Sequence, residues 1–288
     1  MKSRRLANYG PAFVLAVVLL AGWELFVRSG QISVDLLPTP SAIIQALFTN
    51  WDVISGHTLQ TLLETVIGLV LSTLLGLLLA IIIDLSSWTR KAIYPLLVIS
   101  QTIPIVALAP LMLLWFGFGL TPKVIVVVLS CFFPISVACI DGLMATDRDL
   151  VRLMQSMGAS RWQMLCLVRL PGALPAFFSG LRIAATYSVT GAIFGEYVGA
   201  YQGLGIYMQT AVNSHAIVLV FAAIVVTAVL SLLLFGFVSL IEWLVLPWHH
   251  GSAFAADMRA VRLGTPLTVD TNEQAERASE AQVPSQLS

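Results

Sequence analysis

The chain has 288 residues, of which 58% are hydrophobic and only 10% charged, and its 15 basic and 15 acidic side chains cancel to a formal net charge of zero. A soluble globular chain carries about a quarter charged residues, so this one has too little polar surface to coat a water-soluble particle. Nucleic acid is excluded as a partner, because no basic patch is dense enough to neutralise phosphates.

A membrane helix needs about 20 mostly apolar residues, and six windows qualify: 10–27, 57–83, 92–115, 122–143, 175–196 and 216–246. The first follows Lys2, Arg4 and Arg5. It is longer than a usual signal core and no small-x-small site precedes Gln31, so it reads as an uncleaved span. Open sheet edges cannot face lipid, and runs such as 74–83 do not alternate as barrel strands do. The predicted fold class is therefore an all-α polytopic membrane protein with about six transmembrane helices. Twelve of the 15 Lys and Arg residues fall in the N-terminus, the loops after the second and fourth spans, and the tail. Only Arg28 and Lys123 fall in the other loops, and Arg182 lies inside the fifth span. The positive-inside rule then puts both termini in the cytoplasm.

Between the first two spans, Leu37-Pro38-Thr39-Pro40-Ser41 precedes an amphipathic stretch, 42–50, expected to form a short helix at the outer surface with Ser41 near its N-cap. Residues 1–9 are a cytoplasmic N-terminus and 10–248 the membrane domain. Residues 249–288, rich in Ala, Glu, Gln, Ser and Thr, are expected to be a disordered cytoplasmic tail. His249 and His250 at its start read as a solvated pair rather than a metal site. Cys131, Cys139 and Cys166 lack metal-ligand or redox spacing and read as small apolar packing residues.

The longest cytoplasmic loop, about 144–174, is the most informative segment. Asp147 or Asp149 can open a helix, Leu150, Leu153, Met154 and Met157 share one helical face, and Gly158 ends it. A second short helix is expected over 159–168, stopped by Pro171. Arg161 and Trp162 would project near the bend. Such an elbow suits a lever on which a partner protein pushes, and it equally suits an amphipathic connector resting on the headgroups.

This segment resembles the loop signature of permeases from ATP-binding-cassette importers: Glu-Ala-Ala, three residues, Gly, nine residues, then Ile-x-Leu-Pro. Here Gly158 is followed by nine residues and Val168-Arg169-Leu170-Pro171, while Arg152-Leu153-Met154 stands where Glu-Ala-Ala is usual, a departure at the glutamate that in the family helps hold the loop against the ATPase. Gly158-Ala159-Ser160-Arg161-Trp162-Gln163 is similar to the nitrate, sulfonate and taurine branch. Leu37-Pro38-x-Pro40, the stretch 104–119 and Gly195-Glu196-Tyr197-Val198-Gly199-Ala200 match the family too, so the resemblance covers about residues 10–248. Cys131-Phe132-Phe133-Pro134 and Phe177-Phe178-Ser179-Gly180-Leu181-Arg182 look most like permeases for pyrimidine precursors of thiamine. Nitrate, sulfonate, taurine and riboflavin remain open as cargo.

The resemblance implies a permease subunit working by alternating access in a bacterial inner membrane. It implies a second permease chain, an identical copy by expectation, two cytoplasmic ATPase subunits and an extracytoplasmic solute-binding protein. It also implies that Gly158, Ala159, Ser160, Arg161, Trp162, Leu170 and Pro171 form the ATPase-coupling loop. The chain has no Gly-x-x-x-x-Gly-Lys-Ser/Thr phosphate loop, so it is expected to be no enzyme and to bind no cofactor or metal itself, the partner ATPase using the ATP.

Polar groups inside spans are expensive and mark candidates for function. Glu64, Gln101, Thr102, Pro104, Tyr187 and Glu196 form the candidate translocation path, Pro104 and Pro110 being expected to kink the third span. Glu64 could instead pack or sit near a membrane face, and Glu196 suits a structural or gating role. Arg182 either snorkels or pairs with a carboxylate on another helix. Gly191, Gly195 and Gly199 suit close helix packing, within the chain or at a dimer interface. Two rival functions fit less of the sequence. An ion-coupled secondary transporter would need coupling-ion sites beyond Glu64, and a membrane-embedded enzyme would need clustered His, Asp or Glu, which His57, His215, His249 and His250 do not supply.

Overall fold

The computed structural model describes residues 2–30, 32–33 and 36–247. The expected tail, 249–288, lies outside the described residues. Eleven α-helices follow in order: α1 (Lys2–Arg28), α2 (Pro40–Thr49), α3 (Trp51–Leu85), α4 (Ser87–Ser100), α5 (Ile105–Phe116), α6 (Leu120–Met144), α7 (Arg148–Ser156), α8 (Arg161–Met164), α9 (Leu170–Gly199), α10 (Leu204–Asn213) and α11 (Ile217–Val245). A π-helical turn, Leu165–Arg169, joins α8 to α9. No strand occurs among the described residues. One compact unit ends at Glu242. Beyond it the described chain is the last turn of α11 and the two residues after it.

Among the described residues, four helical stretches are long and apolar enough to cross a membrane: Trp51–Leu85, Leu120–Met144, Arg161–Gly199 and Ile217–Val245. The predicted third span is not one rod. α4 and α5 meet at 96°, and Pro104, which has no N–H to extend the α4 ladder, stands at the N-cap of α5. This pair makes a fifth, broken span or a re-entrant loop. The first predicted window falls inside α1, 27 residues long.

The spans are patterned inside out relative to a soluble bundle. On α3 the buried positions include Thr61, Glu64, Thr65, Gly68, Ser72, Gly76 and Ala80, while Leu63, Leu71, Leu74 and Leu78 are exposed. Lipid is as apolar as leucine, so burying leucine between helices gains little there. Small residues that let backbones approach give the tighter van der Waals packing. The hydroxyls do not go unpaired in this apolar surrounding: Thr58, Thr65 and Thr73 each donate to the carbonyl four residues earlier.

α6 is the centre, packed along both α3 and α9. A Cβ on Gly68 would strike Val127, and one on Gly76 would come within 3.0 Å of Ile135, so α3 and α6 run parallel in close register. α9 runs the other way: Gly142 faces Ala173 and Ala176, Gly180 faces Pro134 and Ala138, Gly191 faces Ser130, and Gly195 faces the Lys123 backbone. The Gly191, Gly195 and Gly199 stripe is thus a packing seam within the chain, its last member lying on Leu113 of α5.

Several local expectations are corrected. The N-cap of α2 is Thr39, whose side chain accepts from the Ala42 N–H, with Pro40 in the first turn. Ser41 instead donates its hydroxyl and N–H to Glu24 of α1. Pro171 does not stop the second loop helix. It sits in the first turn of α9, and the wider π turn before it pairs the Leu170 N–H with the Leu165 carbonyl, absorbing the proline by one extra residue. After α9 the chain turns through residues 200–203, with Gly203 at φ 132°, and re-enters a helix as α10.

Candidate functional site

Three places in the compact unit gather chemistry. The first is the elbow. Asp147 caps α7 by accepting from the Asp149 N–H. Gly158, at φ 78°, reverses the chain, and its N–H and that of Ala159 close back on the Gln155 and Met154 carbonyls. A left-handed turn of this kind disfavours any Cβ. Ser160 and Gln163 then form a reciprocal capping box, so the next helix starts at a fixed residue. From Arg161 the helix continues unbroken in direction to Gly199, 39 residues, about 58 Å at 1.5 Å per residue. Trp162, in α8, is 60% exposed, and Ala159, Leu170 and Pro171 follow the path of the turn and the π segment.

The second place is where α3 ends against this elbow. Asp84, its side chain 5% exposed, accepts from Arg169 Nη1 at 2.7 and 2.8 Å and from Arg90 Nη2 at 3.1 Å. Arg161 Nη1 reaches the Leu85 carbonyl at 3.4 Å. The π turn and the end of α3 are therefore locked by charge. Asp84 and Arg169 escaped the sequence reading, because a lone Asp at a helix end looks solvated. Their signal was that Arg169 occupies the variable position of the Val168-x-Leu170-Pro171 motif.

The third place splits the candidate path in two. Gln101 and Tyr187 line one cleft of about 390 Å³, between the α4–α5 bend and the middle of α9, together with Ser130, Phe133 and Thr190. No charged side chain lines it among the described residues. Thr102 and Pro104 form the bend itself, the Thr102 hydroxyl donating to the Ile99 carbonyl. Glu64 and Glu196 lie elsewhere, at the end of the bundle opposite the elbow, and neither is exposed at all. Lys123 Nζ donates to Glu64 Oε1 at 2.5 Å, and Gln60 donates to the same oxygen at 2.7 Å. Glu196 accepts from Thr61 Oγ1 at 2.7 Å and from the Gly205 N–H at 2.5 Å. The neighbouring Leu204 N–H donates to Thr61 and the Gly203 N–H to His57 Nδ1. A Cβ on Gly203 would overlap the Glu196 carboxylate. Glu196 is thus the buried acceptor that holds the start of α10 against α3. Arg182 is paired with a carboxylate on another helix, Glu242 of α11, at 3.0 Å.

Comparison with known proteins accounts for this architecture. Residues 72–245 match the family described as binding-protein-dependent transport system inner membrane component. The chain is 40% identical over 235 residues to a probable ABC transporter permease protein of Haemophilus influenzae, covering 82% of this chain and 94% of the relative. It is 39% identical over 235 residues to the formylaminopyrimidine transport permease protein ThiX of Halalkalibacterium halodurans, covering 81% and 93%. In fold it is similar to the MetNI methionine ABC transporter in inward-facing conformations, with a TM-score of 0.57 at 20% identity, over 68% of this chain and 97% of that one. The chain therefore belongs to the binding-protein-dependent transport family and is a multi-pass inner-membrane permease subunit of an ABC importer.

Proposed function

We propose that this permease moves a small, neutral, hydrogen-bonding organic solute, a pyrimidine precursor of thiamine in the first instance, through the cleft lined by Gln101 and Tyr187. The family works with ATPase and binding-protein partners. In our reading two ATPase subunits dock on the elbow from the cytoplasm, where both termini lie, and the permease pairs with an identical copy. Closure of the ATPases pushes the α7–Gly158–α8 lever, and the continuous helix from Arg161 carries the movement toward the binding-protein side.

The observation that carries the mechanism is the rigid bend: a left-handed glycine followed at once by a capping box at the head of a 39-residue helix. Such a hinge transmits force instead of absorbing it. The cargo reading is supported by the uncharged cleft, since nitrate or a sulfonate would need a cationic partner in a low-dielectric site, and by the likeness to a formylaminopyrimidine permease.

Co-purification tests the coupling. Wild-type chain should carry its ATPase through gentle detergent, and Gly158→Pro should lose it while still inserting, because proline cannot adopt φ 78°. Retention of the ATPase by the inserted variant would remove the elbow from the docking site. Uptake tests the cleft. Tyr187→Ala and Gln101→Ala should each lower uptake of labelled formylaminopyrimidine about tenfold, the size of one lost polar contact, at unchanged expression and ATPase association. Unchanged uptake in both would place the path elsewhere.

A further inference from the structure

At the elbow end of α3 a cavity of about 330 Å³ is lined by Asp84, Leu85, Arg90, Arg161 and Arg169 among others. Three guanidinium groups face one carboxylate there. Asp84 is engaged by Arg90 and Arg169, which leaves Arg161 bonded only to a backbone carbonyl at 3.4 Å. Two further donors are stranded: the Nε–H groups of Arg90 and Arg169 are buried and have no partner. A buried donor without an acceptor is costly, and three guanidinium groups against one carboxylate leave the concave site with a net positive charge. The site therefore lacks an acceptor that is anionic and has several oxygens.

The surroundings indicate the depth at which that acceptor sits. Leu85 lines the cavity and is 40% exposed, and Trp88, the second residue of α4, is 78% exposed. An exposed tryptophan beside the end of an apolar span marks the level of lipid headgroups, and basic pockets between spanning helices at this level suit headgroup phosphates. We propose that this pocket is an anion site for a phosphate group, held by Arg161 with the free Nε–H groups of Arg90 and Arg169. The group is supplied either by an anionic phospholipid or by free phosphate. Because the pocket joins the end of α3 to the π turn of the elbow, an occupant braces the joint through which the lever acts.

The test uses the full-length permease purified with its ATPase. Native mass spectrometry after exchange into detergent with added phosphatidylglycerol or phosphatidylcholine reads the lipid arm. Thermal unfolding titrated with inorganic phosphate against chloride at equal ionic strength reads the free-anion arm. The expected result is one tightly held phosphatidylglycerol per permease chain, or a saturable rise in unfolding midpoint with phosphate. Either should weaken about tenfold in Arg161→Gln, a variant that leaves both Asp84 ion pairs in place. Arg161→Lys should keep part of the binding, and Arg182→Gln, which removes an arginine paired elsewhere, should keep all of it. Retained phosphatidylglycerol identifies a lipid headgroup, and a phosphate response without it identifies the free ion. If wild type shows neither, or if Arg161→Gln binds as well as wild type, the proposal is overturned.

Discussion

Replacing Lys123 alone by methionine is expected to destabilise the folded permease by about 3–5 kcal/mol, the usual cost of removing one partner from a buried ion pair. Lys123 and Glu64 are both sealed from solvent, with side chains 8% and 0% exposed. Without the ammonium group, Glu64 would keep only the Gln60 amide on one oxygen, its other oxygen having no partner already. A lone carboxylate in that setting must lose its charge or draw in water. The same reasoning predicts that Glu64→Gln with Lys123→Met together returns to within about 1 kcal/mol of wild type, because replacing a whole buried pair is often neutral. Thermal unfolding of the detergent-purified chain, run as a double-mutant cycle, measures the coupling. Losses that simply add would show that the two residues do not act as a pair. Gly195 is part of this arrangement: a Cβ there would lie 3.0 Å from the Lys123 Cα, so that glycine lets α6 bring the lysine to Glu64.

The contrast between Glu64 and Gly158 shows what a sequence carries openly. Gly158 was legible because its information is local. An amphipathic helix, a glycine, then Ser160 three residues before Gln163 specify the bend whatever the rest of the chain does. The long apolar spans were legible for the same reason, although the kink at Pro104 proved to be a 96° break. Glu64 stood out as an expensive residue, but its partner lies 59 positions away on α6, and no periodicity links the two. Glu196 is similar: its partners are Thr61 and a glycine turn, so its structural duty is visible only once α3 and α10 are side by side. The π turn was hidden by a sound rule misapplied. Proline ends a helix that needs its N–H, whereas in the first turn of a helix that N–H has no intrahelical partner to lose.

The joint at Asp84 should separate ATP hydrolysis from transport. Asp84→Asn keeps the side chain's shape and removes the charge that holds Arg169 and Arg90 together. Breaking such a pair where the acid is buried costs several kcal/mol. The arginines are 27% and 30% exposed, so solvent relieves part of it, leaving on the order of 1–2 kcal/mol, or roughly tenfold in an equilibrium. The docking face proposed above, around Gly158 and Trp162, lies outside the Asp84 pairs, so on that reading the ATPase should still co-purify and still hydrolyse ATP. The π turn, no longer fixed to α3, would move with α9 when pushed and leave α3 behind. Uptake per ATP hydrolysed in proteoliposomes should then fall about tenfold, while the hydrolysis rate changes by less than about twofold. Exchanging the charges, with Asp84→Arg and Arg169→Asp together, should recover part of the uptake, because attraction between α3 and the elbow is restored while Arg90 now meets a like charge. A normal uptake ratio in Asp84→Asn would mean that force leaves the elbow by another route, through the seam of Gly142 against Ala173 and Ala176, where α6 and α9 touch too closely to slide.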